Sequence, residues 1–322
     1  MGALKKIISV AVRIAASFLM LAFLFRQVNV RAIMEVVKSA NMGLLLAACG
    51  VFFFTYVFCL FRWEMLLRAA QINLPLKRVI FSFAGGTFFN LFLPSTIGGD
   101  FIRSLDLSAH TKKPKEIVAT VLMDRLSGYI GLVVVALAAV FLGWRFLDDK
   151  SVLITIFVVA GILVAILLAF FNTFLYAKIN RLLTTLRLGK AGEAIRNLHQ
   201  EVHRFRGHKK VIVKNLLLSV AIQTISPVIT YIIALSLGVK INMIYFFIFL
   251  PVIGAITLLP ISLGGLGLRD ATTIFFFAKI GVGKDLAFAM SLLSFSFLLF
   301  YGSIAGLIYF ITVNHRKLPQ QS

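Results

Sequence analysis

Leu93-Pro94-Ser95-Thr96-Ile97-Gly98-Gly99-Asp100-Phe101-Ile102-Arg103 is answered later in the chain by Leu259-Pro260-Ile261-Ser262-Leu263-Gly264-Gly265-Leu266-Gly267-Leu268-Arg269. In both stretches proline follows leucine, a Gly-Gly pair starts four residues after the proline, and arginine falls five after the first glycine. The offset from Pro94 to Pro260 is 166 residues, about half of the 322-residue chain, which marks an internal repeat. Proline stops an incoming helix and glycine lets the backbone turn with little steric cost. Pro94, Gly98 and Gly99 in one copy, and Pro260, Gly264 and Gly265 in the other, are therefore the expected hairpin-forming residues. Irregular backbone at membrane depth survives only when buried in protein or lining a cavity. Broken apolar segments at matching positions of two halves point to a transporter's substrate site. An ordinary loop between two spans is the plainer alternative.

The composition selects the class. With 60% hydrophobic and 14% charged residues, the chain is too apolar for a soluble domain and reads as a polytopic membrane protein. Lys and Arg number 33 against 12 Asp and Glu, a formal net charge of +21. The basic residues sit between apolar runs and not on one soluble module. Cytoplasmic loops and anionic lipids, not nucleic acid, are their expected counterparts. Cys49 and Cys59 fall in one expected helix, roughly 15 Å apart at about 1.5 Å per residue, which is beyond disulfide reach.

Spans are expected at residues 7–25, 43–60, 117–143, 152–171, 211–236 and 286–311. Arg62, Arg68, Lys77 and Arg78 read as one basic connection, and Arg103, Lys112, Lys113 and Lys115 as another. Between them residues 79–103 form a re-entrant hairpin; residues 243–278 form the second. The most basic stretch, 172–210, belongs on the cytoplasmic side and carries two amphipathic helical patterns. Within it His199 and His203 are four residues apart, but with no Cys or Asp to complete a site they read as a solvated helix face, and no metal is expected. Charge places both termini in the cytoplasm, in a multi-pass protein of the cytoplasmic (inner) membrane.

The expected fold class is all-α, an inverted-topology repeat of three spans plus one re-entrant hairpin each. Residues 1–151 make the first repeat and 152–322 the second. Three crossings per unit is an odd number, so the second copy lies upside down and one hairpin enters from each side. Such an arrangement serves alternating access around a central site.

Ionisable groups within spans are costly and mark pathways or pair with each other. The candidates are Asp100 and Arg103 on the first hairpin, Arg269 and Asp270 on the second, and Asp124 and Arg125 on the third span. Arginine's planar fork suits phosphate oxygens, so Arg103 and Arg269 are expected to hold a lipid phosphate. Asp100 or Asp124 either orients those arginines or titrates to couple transport to protons. For Asp124 and Arg125 a structural ion pair tying the third span to its neighbours is the alternative, and for Arg103 an interfacial snorkelling charge. Asn90, Ser95, Thr96 and Ser262 serve as polar lining or as caps for broken helix ends.

Together with Met123-Asp124-Arg125-Leu126-Ser127-Gly128 and Leu263-Gly264-Gly265-Leu266-Gly267-Leu268-Arg269-Asp270, the quoted stretches make the chain resemble the lysylphosphatidylglycerol synthase transmembrane domain family over nearly its whole length. The resemblance implies a membrane domain of the kind that acts as a flippase for modified lipid in the aminoacyl-phosphatidylglycerol synthases. Those enzymes carry a soluble aminoacyl-transferase domain after the membrane part. Here the sequence ends eleven residues after the last expected span, so synthase activity is not carried over. A lipid transporter is the first expectation, with membrane lipids of anionic character as partners and no cofactor. A membrane-embedded transferase on a phospholipid or polyprenyl-phosphate, and an accessory membrane subunit, are the alternatives. No Gly-rich nucleotide loop of the phosphate-binding type is present.

Overall fold

The computed structural model describes residues 30–93, 98–146, 205–257 and 265–316, with 153–155, 157–158, 160–162 and 164–165. The expected first span at 7–25, hairpin residues Pro94, Ser95, Thr96, Pro260, Ser262 and Gly264, and the histidines His199 and His203 lie outside the described residues. Among the described residues every regular element is helical: α1 (Val30–Lys38), α2 (Met42–Ala69), α3 (Leu76–Phe89), α4 (Gly98–Thr111), α5 (Pro114–Gly143), α6 (Lys209–Ser236), α7 (Ile244–Thr257), α8 (Leu268–Ala278) and α9 (Lys284–Arg316).

Four of these, α2, α5, α6 and the Lys284–Thr312 part of α9, are long and apolar enough to cross a membrane. They contain the expected spans 43–60, 117–143, 211–236 and 286–311. The helices of each broken pair are shorter, 14 and 14 residues for α3 and α4, 14 and 11 for α7 and α8. At about 1.5 Å per residue even a 14-residue helix reaches only about 21 Å, short of the roughly 30 Å hydrocarbon core. The order long, short, short, long occurs twice. The first residues of the corresponding helices, 42 and 209, 76 and 244, 98 and 268, 114 and 284, are 167 to 170 positions apart.

Local chemistry explains the helix ends. The Asn41 side chain accepts a hydrogen bond from the Leu44 N–H at 3.2 Å and caps α2, satisfying a donor the helix cannot. Pro75 precedes α3, and Pro114 opens α5, where its missing N–H has no intrahelical acceptor in any case. Asp270 accepts from the Gly267 N–H at 2.9 Å and caps α8. Gly267 has φ +78°, a conformation that disfavours a side chain.

The halves are interleaved. Helices α2 and α6 run antiparallel: the Asn41 N–H donates to the Ser236 carbonyl at 2.9 Å at one end, and the Asn215 amide donates to the Arg62 carbonyl at 3.3 Å at the other. Within the first broken pair the backbones nearly touch. A Cβ on Gly99 would lie 2.0 Å from the Gly86 carbonyl oxygen, and one on Gly86 2.8 Å from that of Gly99, so only glycine fits the seam. Helix α3 also beds on α9, where a Cβ at Gly85, Gly302 or Gly306 would strike Tyr309, Leu91 or Phe88. Small residues permit this close approach where lipid removes most of the hydrophobic drive for helix association. The second pair is packed with aromatics, with Phe246, Phe249, Phe276 and Phe277 all essentially buried. On α2 the phenylalanines divide: Phe53 and Phe54 are exposed, while Phe52 stacks on Tyr301 of α9.

The structure revises one part of the helix boundaries. Arg62 and Arg68, expected in a basic connection, belong to α2, which continues to Ala69. Arg103 belongs to the middle of α4, which continues to Thr111. These charges do not end the helices because they have partners. Arg68 pairs with Glu64, and Asp106 of α4 with Arg78 of α3. Of the basic 172–210 stretch, the described part is a 3-10 turn, Phe205–Gly207, followed by His208 and the start of α6. Phe205 packs against Leu66 and Met123.

Candidate functional site

Five charged side chains from three helices meet inside the bundle. Asp100 and Arg103 are three residues apart on α4 and share one face of it. Asp124 and Arg125 are consecutive on α5, and Arg62 comes from the last turns of α2. Arg103 donates through Nη2 to Asp100 Oδ1 and to Asp124 Oδ2, both at 2.9 Å. Arg62 Nε donates to Asp124 Oδ1 at 2.7 Å, and Arg125 Nε to Asp100 Oδ2 at 2.5 Å. Every carboxylate oxygen thus has a guanidinium partner, and Arg103 bridges the two aspartates. A charge removed from water is tolerable only when paired and hydrogen-bonded in this way.

The second half of the chain takes part. Arg62 Nη1 donates to Ser219 Oγ of α6 at 3.1 Å. Arg103 is 4% exposed, and its guanidinium carbon stands 4.5 Å above the Trp63 ring, a cation–π geometry. Trp63 is fixed in turn by its indole N–H, which donates to Thr120 Oγ1 at 3.2 Å. The interfacial alternative for Arg103 is therefore not what the fold presents, whereas Asp124 and Arg125 do make the ion pairs to neighbouring helices that were their structural alternative.

This cluster forms one wall of a cavity of about 330 Å³. Arg62, Asp100, Arg103, Asp124 and Arg125 all line it, and Leu266, Phe295 and Leu298 close it from the second half. Asn90 fills both roles expected of it. Its Oδ1 accepts from the Gly99 N–H at 2.8 Å, at the start of α4, and its side of the chain lines the cavity. Gly98 and Gly99 open α4, so the positive end of its dipole lies beside the cluster and favours negative charge there.

Arg269 and Asp270 form a separate set. Arg269 Nε donates to Ser291 Oγ at 3.1 Å and its Nη2 to Asp270 Oδ1 at 3.3 Å. Asp270 is fully buried and also accepts from the Ser291 hydroxyl. Arg269 does not line the cavity; it reaches it through Phe295, over whose ring its guanidinium carbon stands at 5.0 Å. The structure therefore groups Arg103 with Arg62 and Arg125, and holds Arg269 behind the opposite wall. Among the described residues no set of three or more His, Cys, Asp and Glu side chains is grouped as metal ligands would be.

Arg62 is the member that hydropathy conceals, because the apolar run stops at Phe61. A helical signal was nonetheless present: Cys59, Arg62, Trp63 and Leu66 fall at i, i+3, i+4 and i+7, one face of a continuing helix.

A family model described as the lysylphosphatidylglycerol synthase TM region matches residues 10–306. Among similar chains is a UPF0104 membrane protein of Pyrococcus horikoshii, 24% identical over 281 residues, which cover 80% of this chain and 84% of that one. Another is a UPF0104 membrane protein of Methanothermobacter thermautotrophicus, 24% identical over 258 residues, covering 71% and 72%.

Proposed function

The chain belongs to the lysylphosphatidylglycerol synthase TM region family of membrane proteins, and from that premise we propose that it moves a phosphate-bearing lipid between the leaflets of the cytoplasmic membrane. The observation that carries this reading is the buried cluster of three arginines and two aspartates on the wall of a cavity that both halves close. Guanidinium forks bind phosphate oxygens strongly and directionally. A cluster with one positive charge in excess gains most from an incoming anion.

In this account the two broken pairs, α3/α4 and α7/α8, are re-entrant hairpins, and the second half is an upside-down copy of the first. Their shortness, their repeated order and the antiparallel course of α2 and α6 support that arrangement. Arg103, with Arg62 and Arg125, holds the phosphate. Asp100 and Asp124 keep the three guanidiniums apart and oriented. Arg269 supports the facing wall through Phe295. The acyl chains stay in lipid beside the exposed apolar faces, and the two halves rock to open the cavity to each leaflet in turn. The basic connections support a cytoplasmic position for both termini.

The test is transbilayer movement of a lipid with a fluorescent head group in vesicles holding the purified protein. Wild type is expected to move it. Arg103→Ala and Arg269→Ala are expected to insert and fold but to move none. Arg125→Lys, which keeps the charge at a half-open position, is expected to retain part of the rate. Normal movement in Arg103→Ala removes the phosphate clamp.

A further inference from the structure

We infer that the head group this cavity accepts is a singly charged phosphodiester without an amine, and not the aminoacylated lipid after which the family is named; this rests on the lipid-transport reading above. Three observations lead there. The first is charge. Arg62, Arg103 and Arg125 face Asp100 and Asp124, and these are the only ionised side chains lining the cavity among the described residues, leaving one positive charge in excess. A phosphodiester brings one negative charge and makes the site neutral. A phosphomonoester in its doubly charged form overshoots, and a lipid with an added ammonium leaves the excess uncorrected.

The second observation is the state of the acceptors. An ammonium group entering the cavity needs a carboxylate. Each carboxylate already serves two guanidiniums at 2.5 to 2.9 Å, so an added ammonium would enter beside three cations whose charge the two carboxylates do not fully offset. The third is the state of the donors. Two buried polar atoms on residues that line the cavity, Arg103 Nε and Thr55 Oγ1, have no hydrogen-bond partner among the described residues. Both can donate, and buried donors without acceptors are costly. Phosphodiester oxygens are acceptors only, the complement these donors lack, and a shift of the wall that bares the two buried atoms lets them meet. Of the remaining walls, Thr87 and Asn90 suit head-group hydroxyls, and Phe52, Phe83, Leu91, Phe295 and Leu298 suit carbon parts and not a second charge.

Trp63 provides the readout, since the Arg103 guanidinium lies against its ring. The chain has two tryptophans, and the other, Trp144, is exposed and outside the cavity, so Trp144→Phe leaves Trp63 as the only tryptophan, excited apart from the tyrosines at the red edge of its absorption. In discs of zwitterionic lipid, Trp63 emission is titrated with short-chain phosphatidylglycerol, lysyl-phosphatidylglycerol, phosphatidic acid and inorganic phosphate. Phosphatidylglycerol is expected to saturate the signal, with the lysyl lipid and phosphatidic acid each at least about tenfold weaker and inorganic phosphate weaker still. Equal or tighter binding of the lysyl lipid overturns the inference. Inorganic phosphate binding as tightly as the lipid also overturns it, by making this a free-phosphate site. Asp100→Asn raises the excess to two and is expected to shift preference at least about threefold toward phosphatidic acid. Arg125→Gln removes the excess and is expected to erase the preference for phosphatidylglycerol over phosphatidylcholine. An unchanged order of ligands in whichever of these variants folds overturns the charge argument. Selective binding without movement in vesicles sinks the transport reading alone; movement without this selectivity sinks the present inference alone.

Discussion

Asp124→Asn is the substitution whose cost follows most directly from the geometry. The Asp124 carboxylate accepts from Arg62 at 2.7 Å and from Arg103 at 2.9 Å, and the three side chains are 6%, 8% and 5% exposed. Asparagine has nearly the same shape, so no cavity opens. It removes the charge, however, and turns one acceptor into an N–H donor that faces a guanidinium N–H. Breaking a buried ion pair by removing one partner costs about 3 to 5 kcal/mol. Here the lower end applies, because Arg62 keeps Ser219 at 3.1 Å and Arg103 keeps Asp100 at 2.9 Å. A loss of about 3 kcal/mol is expected, roughly two decades in the folding equilibrium at about 1.4 kcal/mol per decade. The assay is reversible unfolding in mixed micelles, followed by tryptophan emission. Arg62→Gln is then combined with Asp124→Asn. The double variant removes both sides of one pair, and the two losses are expected to fall short of additive by about 1 to 3 kcal/mol. A loss below about 0.5 kcal/mol for Asp124→Asn, or additive losses in the cycle, would falsify the description of these groups as a tightly coupled buried network.

Other substitutions separate the seam, the cap and the surface. Gly99→Ala forces the α3/α4 backbones apart, since its Cβ would sit 2.0 Å from the Gly86 carbonyl oxygen; a loss of at least about 1 to 3 kcal/mol is expected in the same unfolding assay. Asn90→Ala leaves the Gly99 N–H without its 2.8 Å acceptor and is expected to lose about 1 kcal/mol, visible as faster hydrogen exchange at the start of α4. Arg68→Ala is the control: its side chain is 67% exposed in its pairing with Glu64, and a change under about 1 kcal/mol is expected.

What the sequence made legible was whatever apolar length and backbone breakers encode. The spans at 43–60, 117–143, 211–236 and 286–311 lie within α2, α5, α6 and α9, because about twenty apolar residues have few other soluble or membrane uses. Gly98 and Gly99 mark the start of α4, and Gly265, with φ +81°, stands just before α8. Charge was harder to read. An arginine at the end of an apolar run has the same sequence signature whether it snorkels to the surface or turns inward to a carboxylate. Arg62 turns inward because Asp124 and Ser219, 62 and 157 residues away, receive it. Arg103 is inside for the same reason, through Asp124. Asn90 was legible as a cap or a lining residue, and its position at the helix break lets it be both. Which arginines gather was not encoded locally: the repeat pairs Arg103 with Arg269 by position, whereas packing groups Arg103 with Arg62 and Arg125.

On the proposed function, a lipid phosphate enters the cavity between the two halves and meets these arginines. A phosphatidylglycerol carrying a photoreactive group beside its phosphate tests this directly in membranes holding the intact protein, with the sites of attachment read by mass spectrometry. Attachment is expected on cavity-lining residues of α2, α4 and α5, around Cys59, Arg103 and Asp124, suppressed by excess unlabelled phosphatidylglycerol and lost in Arg103→Ala. Attachment confined to exposed apolar positions such as Phe141 and Leu142, and unchanged in Arg103→Ala, would contradict it.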